Sequence, residues 1–388
     1  MTARPSPRST IVLLSAAAFA SAASVRVTDA MLPRVATQFG VGLAQAAMVI
    51  TVFAVAYGAL QMVFGPLGDR FGKLRVIGLA CIGAALSTLG CVLATGYAGF
   101  LAARLVAGGF CGAVIPLAMA WIGDVVPYAE RQPVLARFLL GQILGLGAGA
   151  AVGGLAASQA MWRWPFAVLA AWLFVMALAV LAAQRADPVA RREGAPDFVR
   201  DLRSVLSIRW ARVVVGTVCV EGFVVFGALA FVPTHLHEAR GFPLARSGLA
   251  TLVFAGGGML FALFARPVIR RLGEVGLAVG GTSLIASGYA LVAWTPHPLV
   301  APAGCLLAGL GFYMLHNTLQ ANATQMAPER RGAGMALFAS VYFIGQAIGV
   351  AAAGALAERM GAVSVVIAGA VCVVPIGLNF ARLRARRR

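Results

Sequence analysis

Long apolar runs and short polar ones follow each other in a steady rhythm along this chain. About 20 apolar residues are enough to cross a bilayer as a helix. On that measure the sequence predicts twelve spanning helices, at 10–36, 44–65, 75–95, 98–123, 134–157, 164–183, 212–235, 247–265, 275–294, 298–322, 333–356 and 361–381. The longest polar stretch, "QRADPVARREGAPDFVRDLRSVLSIRWAR" from Gln184 to Arg212, divides them six and six. Its charge and its Pro and Gly content suit a linker, with a short amphipathic helix near Phe198 to Leu206 lying on the membrane surface. The expected organisation is a six-helix bundle at 1–183, a linker at 184–211 and a second six-helix bundle at 212–388. The fold class is an all-α membrane protein with two pseudo-symmetric bundles.

The halves repeat each other. "GPLGDRFGK" from Gly65 aligns with "RPVIRRLGE" from Arg266, matching Pro66 with Pro267, Arg70 with Arg271 and Gly72 with Gly273. "VVPYAERQ" from Val125 resembles "MAPERRG" from Met326, and "GQILG" from Gly141 matches "GQAIG" from Gly345. Duplicated helical units of this kind place their binding site between the repeats, near the bilayer midplane.

Composition agrees with lipid as the solvent. The 388 residues are 61% hydrophobic and only 11% charged, against about a quarter charged in a soluble domain. The net charge of +18 raises the question of nucleic acid, and its distribution answers it. Placing both termini inside puts nearly all arginines on the cytoplasmic side and leaves Arg34, Arg163, Arg240, Arg246 and Arg359 on the other. That asymmetry is the positive-inside rule and excludes a need for nucleic acid. The start of the chain resembles a secretory signal, but cleavage would leave an odd number of spans, so it reads as the first helix. The six cysteines all fall within spans and read as packing residues.

The motif "GPLGDRFGKLR" supplies Gly65, Asp69, Arg70, Gly72, Lys73 and Arg75 in the loop after the second span. On these residues the chain resembles the major facilitator superfamily. "RLVAGGFCGAVIP" from Arg104 resembles that superfamily's fourth-span arginine motif. "GLGAGAAVGG", with Gly145, Gly149, Gly153 and Gly154, resembles the fifth-span signature of its drug/proton antiporters, with Ala150 where that signature carries proline. Gly65 and Gly72 are expected to end the helix and turn it. Asp69 is expected to latch onto the start of the eleventh span near Gly332 to Gly334 when the inner gate is shut. Gly145, Gly149 and Gly153 share one helix face and allow close backbone approach.

Only Asp29 and Glu221, of thirteen acids, fall well inside spans. A charge at the bilayer centre costs about 2.5–3.5 kcal/mol or more, so such groups meet a partner or a wet cavity. Asp29 in "SVRVTDAML" shares a helix face with Arg26, and Arg104 lies at similar depth. The resemblance implies that the first and fourth spans line the cavity and bring Asp29 and Arg104 face to face. Two nearby arginines favour a charged Asp29, whereas Glu221, with no cation near it in sequence, is the better proton carrier. A structural ion pair for Asp29 and a hydrogen-bonded packing role for Glu221 stay open beside these readings. His316, Asn317 and Gln320 form a polar stripe on span ten, and with Tyr57, Gln61, Gln142 and Gln346 they read as a polar cavity wall or as interhelical hydrogen bonds. "HLHE" from His235 is the one sequence-local metal candidate, and no further ligand cluster accompanies it.

The single lysine, Lys73, is followed by Leu74 and Arg75, so no phosphate-binding G-x-x-x-x-G-K-[ST] loop exists. An ion or solute gradient must supply the energy. A proton falling through about 150 mV and half a pH unit releases about 4 kcal/mol, enough for about a thousandfold solute gradient. The expected function is therefore proton-coupled export of small lipophilic or amphipathic compounds by alternating access. Proton-coupled import of a metabolite, or facilitated uptake, is the alternative; an intramembrane enzyme lacks a nucleophile–base pair of recognisable spacing. Expected partners are a small-molecule substrate, protons and the lipid bilayer, with no metal, cofactor or nucleic acid. The expected location is a bacterial-type cytoplasmic membrane, and the expected working unit a monomer.

Overall fold

The computed structural model describes residues 7–184, 198–294, 297 and 300–387. Most of the linker (185–197), the first six residues and positions 298–299 of the tenth predicted span lie outside the described residues. All regular structure among the described residues is helical. In chain order the helices are α1 (Pro7–Arg26), α2 (Leu32–Phe39), α3 (Leu43–Phe71), α4 (Lys73–Leu93), α5 (Tyr97–Val125), α6 (Tyr128–Ala157) and α7 (Trp164–Gln184). There follow α8 (Phe198–Ser207), α9 (Arg209–Glu221), α10 (Gly227–Leu229), α11 (Val232–Glu238), α12 (Leu244–Trp294), α13 (Val300–Ala323), α14 (Arg331–Met360) and α15 (Ala362–Ala385). Ten helices among the described residues are long and apolar enough to cross a membrane. The longest, α12, breaks its helical geometry at Gly273 (φ 61°, ψ −178°).

One aligned pair of the sequence repeat shares a backbone feature. Gly72 has φ 91° and its aligned partner Gly273 has φ 61°, a left-handed region that residues with a Cβ enter at a cost. Gly65, by contrast, lies inside α3; the helix runs on through Pro66 to Phe71, so Gly72 alone makes the turn.

The first predicted span of each half is not one straight helix. The first stops at Arg26, passes through a turn and a 3-10 segment at Asp29–Met31, and restarts as α2. The seventh contains a π-helical segment at Gly222–Phe226 and restarts as α11 after a turn. Pro33 and Pro233 sit in the first turns of the two restarted helices. A proline inside a helix clashes with the carbonyl four residues back and donates no hydrogen bond, while the first turn tolerates it. Pro33 and Pro233 take that first-turn position, whereas Pro66, Pro116 and Pro375 sit inside uninterrupted helices. Val27 and Thr28, both β-branched and poor helix formers, mark the first break.

Helix α6 packs on α1 through the glycine face. A methyl built on Gly145, Gly149 or Gly153 would collide with the carbonyl oxygens of Phe19, Ala23 or Val27 respectively. Backbone cannot yield as a flexible side chain can, and overpacking costs about 1–3 kcal/mol. Gly153→Val is therefore expected to lower the melting temperature of the purified protein more than Gly147→Val, whose nearest neighbours are the side chains of Leu252 and Ala255. Equal shifts would show that the glycine face is not a backbone contact.

The repeated halves touch through α3 with α14 and α6 with α12. Gly354 abuts Ala44 and Ala47, Thr51 Oγ1 lies 3.4 Å from the Ala347 carbonyl oxygen, and Gly58 abuts Phe343 and the Ser340 carbonyl. Gly154 of α6 abuts Gly248 and the Leu244 carbonyl of α12. These contacts run from the arginine-poor end to about the middle of α3 and α14. Toward the arginine-rich end, Val63 and Phe71 of α3 are exposed, and a methyl on Gly65 or Gly332 would meet nothing within 4 Å. Among the described residues, the contacts named between the two halves of the sequence stop short of the arginine-rich end.

Candidate functional site

At the first helix break, Arg26 Nη1 lies 3.1 Å from Asp29 Oδ2, with both side chains buried. The expected meeting of Asp29 with Arg104 does not take that form. Arg104 instead donates to the carbonyl of Ser24 at 3.1 Å, to Thr28 Oγ1 at 3.4 Å and to the carbonyl of Val49 at 3.4 Å. Its guanidinium lies 4.0 Å from the Phe53 ring centroid. A broken helix exposes carbonyls that must find donors, and the five-donor fork of arginine suits several acceptors at once. Arg104 therefore fastens the break to α3. Arg26 is the group that reaches the other half: Nη2 lies 3.4 Å from Gln346 Oε1, and its guanidinium sits 4.0 Å from the Phe226 centroid.

The second acid is placed by the other irregular span. Glu221 ends α9, directly before the π-helical segment, and its Oε2 lies 2.8 Å from His316 Nδ1 on α13. Sequence reading left Glu221 without a partner and put His316 on a cavity wall; 95 positions separate the two. The available signal was complementary: one buried acid lacking a cation, and the one histidine well inside a span. Gly222 in the π segment presses against the carbonyl of Tyr342 and the amide of Gln346, so the segment that carries Glu221 seats directly on α14. π segments inside helices are frequent at functional sites.

Aromatic rings fill the space between the two pairs. Phe226, which carries Arg26 on its face, meets Phe312 edge-on at 5.0 Å and Tyr342 at 5.7 Å. His316 stacks on Phe312 at 5.0 Å and tilts against Tyr342 at 4.9 Å. Tyr342 touches Phe343, which lies 4.2 Å from Tyr57 of the first half. Asp29 and Glu221 have no exposed surface, whereas His316 keeps 18%. Neither acid lines open water in this conformation, contrary to the expected wet cavity: helix contacts and the aromatic rings around them leave both carboxylates without exposed surface. Oδ1 of Asp29, Oε1 of Glu221 and Nε2 of Gln346 are buried without a hydrogen-bond partner among the described residues.

The other predicted residues divide. Tyr57 is buried between Phe53 of its own helix and Phe343 of α14, so it packs where α3 meets α14 and faces no opening. Gln142, Asn317 and Gln320 are half-buried and join neither pair. Lys73 bridges Asp69 at 3.0 Å and Asp124 at 2.7 Å, so Asp69 is held on its own turn and the latch to Gly332–Gly334 is not formed here. Arg70 lies over Phe71, and Arg75 is exposed. His235 and His237 bond to the backbone carbonyls of Val292 and Phe242. Among the described residues no group of three or more His, Cys, Asp or Glu side chains could hold a metal ion.

The sequence profile of the Major Facilitator Superfamily matches residues 14–350. The chain belongs to the major facilitator superfamily. Superfamily relatives include an uncharacterised MFS-type transporter, YceJ of Bacillus subtilis, 26% identical over 86% of this chain and 86% of that protein. The multi-drug resistance efflux pump PmrA of Streptococcus pneumoniae is 24% identical over 92% of this chain and 91% of the pump. Among solved structures, a point variant of the nucleoside transporter NupG superposes with TM-score 0.81 at 14% identity, over 96% of this chain and 98% of that one. A bacterial homolog of the human lysosomal transporter Spinster, in an inward-facing and unoccupied conformation, gives TM-score 0.78 at 17% identity, over 99% and 98%. These structures establish the superfamily fold. Membership places the chain in a family of multi-pass membrane transporters, which are generally not enzymes, and is consistent with small-molecule substrates and a lipid bilayer.

Proposed function

We propose that this chain is a proton-coupled exporter of small lipophilic or amphipathic compounds. It works by alternating access between two six-helix bundles, 1–183 and 212–388, with both termini in the cytoplasm. Dividing α12 at Gly273 and counting α13 with the ten long apolar helices gives the twelve spans of this reading. The arginine-rich end, short of which the named contacts between the halves stop, is the cytoplasmic mouth.

The observation that carries the proposal is the Glu221–His316 pair, buried at an irregular helix segment and separated from Arg26–Asp29 only by aromatic rings. Glu221 is the proton carrier, and His316, partly exposed, is its route to the cavity. Phe226, Phe312 and Tyr342 offer apolar faces to a lipophilic substrate. Arg26, held by Asp29 and touching Gln346 and Phe226, carries the state of one bundle to the other. Asp69 closes the cytoplasmic mouth on the Gly332–Gly334 turn in the opposite conformation. The efflux function of PmrA, similar over most of both chains, supports export.

Everted membrane vesicles test direction and coupling together. Energised vesicles containing the protein should accumulate a lipophilic dye and release it when a protonophore is added. Accumulation that persists after the protonophore would remove the proton from the scheme. Import is the second reading, favoured by half-buried Asn317 and Gln320 beside His316 and by Ala150 in the fifth-span signature. Whole-cell solute uptake that disappears on deletion of the gene would establish it instead.

A further inference from the structure

The arginine-rich end of the second half holds a cluster that span topology does not require. The start of α9 packs on the end of α15, with the rings of Trp210 and Phe380 5.8 Å apart. Trp210 is only 9% exposed. Two arginines cover it: Arg387, with its guanidinium 4.7 Å from the ring centroid, and Arg384 at 5.9 Å. Their situations differ. Arg384 is fully engaged by Glu274, through Nε at 2.6 Å and Nη2 at 3.1 Å, and Glu274 also accepts from Asn322. Arg387 makes no ion pair among the described residues. Arg209 and Arg212 flank Trp210 in sequence, Arg382 and Arg386 share the last turns with Arg387, and all five are exposed without a carboxylate partner among the described residues. Asp201, on the preceding helix, is already paired with Arg330 at 3.0 Å.

From this geometry we propose that the seam between α9 and α15 binds the headgroup of an anionic phospholipid. Like charges gathered at one seam repel, and a phosphate diester relieves them by accepting several charge-assisted hydrogen bonds at once. Arg387 lies over an indole, 4.7 Å from its centroid, which restricts its fork in advance and reduces the entropy lost on binding. Topology asks only that positive charge lie on the correct side; it does not ask for an arginine braced on a buried tryptophan. A lipid is the occupant because apolar side chains reach solvent beside the charges: Leu206 and Ile208 are exposed immediately before Arg209. Basic groups next to apolar ones at a helix entering the membrane match a headgroup with its acyl chains. The proposal does not depend on the transported compound or its coupling.

The test is native mass spectrometry of the full chain in mild detergent, offered phosphatidylglycerol or phosphatidylcholine with matched acyl chains. Wild type should retain phosphatidylglycerol preferentially. Each surface arginine near anionic lipid contributes about a fivefold factor, so the double variant Arg209→Gln/Arg387→Gln should bind it about thirtyfold more weakly. These residues are exposed, and an unchanged melting temperature will confirm that the variant folds. The charge-matched variant Arg8→Gln/Arg137→Gln, at the same end of the other half, should keep the wild-type preference. Equal loss in both double variants would overturn the proposal in favour of diffuse charge. So would equal retention of the two lipids by wild type, or displacement of the lipid by millimolar inorganic phosphate, which would mark a free-anion site.

Discussion

Replacing Glu221 with Gln should abolish gradient-driven transport while leaving a folded protein. The amide keeps the shape of the carboxylate and an oxygen facing His316 Nδ1, 2.8 Å away in the native pair, but it cannot take up and release a proton. The proton's contribution of about 4 kcal/mol supports about a thousandfold accumulation; without it the accumulation ratio of a dye in energised vesicles should fall to one. Exchange of labelled for unlabelled substrate, which needs no net proton movement, should survive. That division separates loss of coupling from loss of binding. Glu221→Gln protein that still concentrates dye would transfer the proton to Asp29 or dispense with it. His316→Gln should slow the driven process more than the exchange, because the acid would lose its partly exposed neighbour.

Arg104 is expected to have the largest effect on stability. It is 1% exposed and donates to two backbone carbonyls and a threonine hydroxyl across the first helix break. Truncation to Ala takes the donor away from the Ser24 carbonyl and Thr28 hydroxyl at the break, at about 1–3 kcal/mol each, and removes the contact with Phe53. A loss of about 4 kcal/mol, divided by an unfolding entropy of about 2 cal/mol/K per residue, corresponds to a melting temperature lower by about 5 °C. Lysine should not rescue it, since a single ammonium cannot reproduce a fork that spans α1 and α3. Scanning fluorimetry of the three proteins in detergent measures this directly. An Arg104→Lys protein as stable as wild type would mean that Arg104 is held for charge and not for its hydrogen bonds.

The resemblance placed Arg104 opposite Asp29, and the acceptor that arginine takes was the part it did not give. A helix drawn straight through residues 10–36 has no free carbonyls to offer, so a carboxylate is the obvious partner. Pro33 and Pro233 were visible in the sequence and compatible with a restart of the helix, but Pro66 and Pro116 sit in helices that run on, so proline alone did not locate the breaks. The Glu221–His316 pair had a weaker signal, since nothing local to either residue states which helices face each other. The glycine face of α6 was legible as a packing surface; that it packs on α1, with Gly154 turned toward Gly248 of the other half, was not.

The alternation of apolar and polar runs, the internal sequence repeat and the gathering of arginines in the polar runs are properties of the order of residues alone. Each follows from how a short segment partitions between water and lipid, and partitioning depends on that segment's own composition. The partners of Arg26, Arg104 and Glu221 were settled only by the folded chain. Those contacts join positions 320, 80 and 95 residues apart, and they depend on which helices lie side by side and where those helices break.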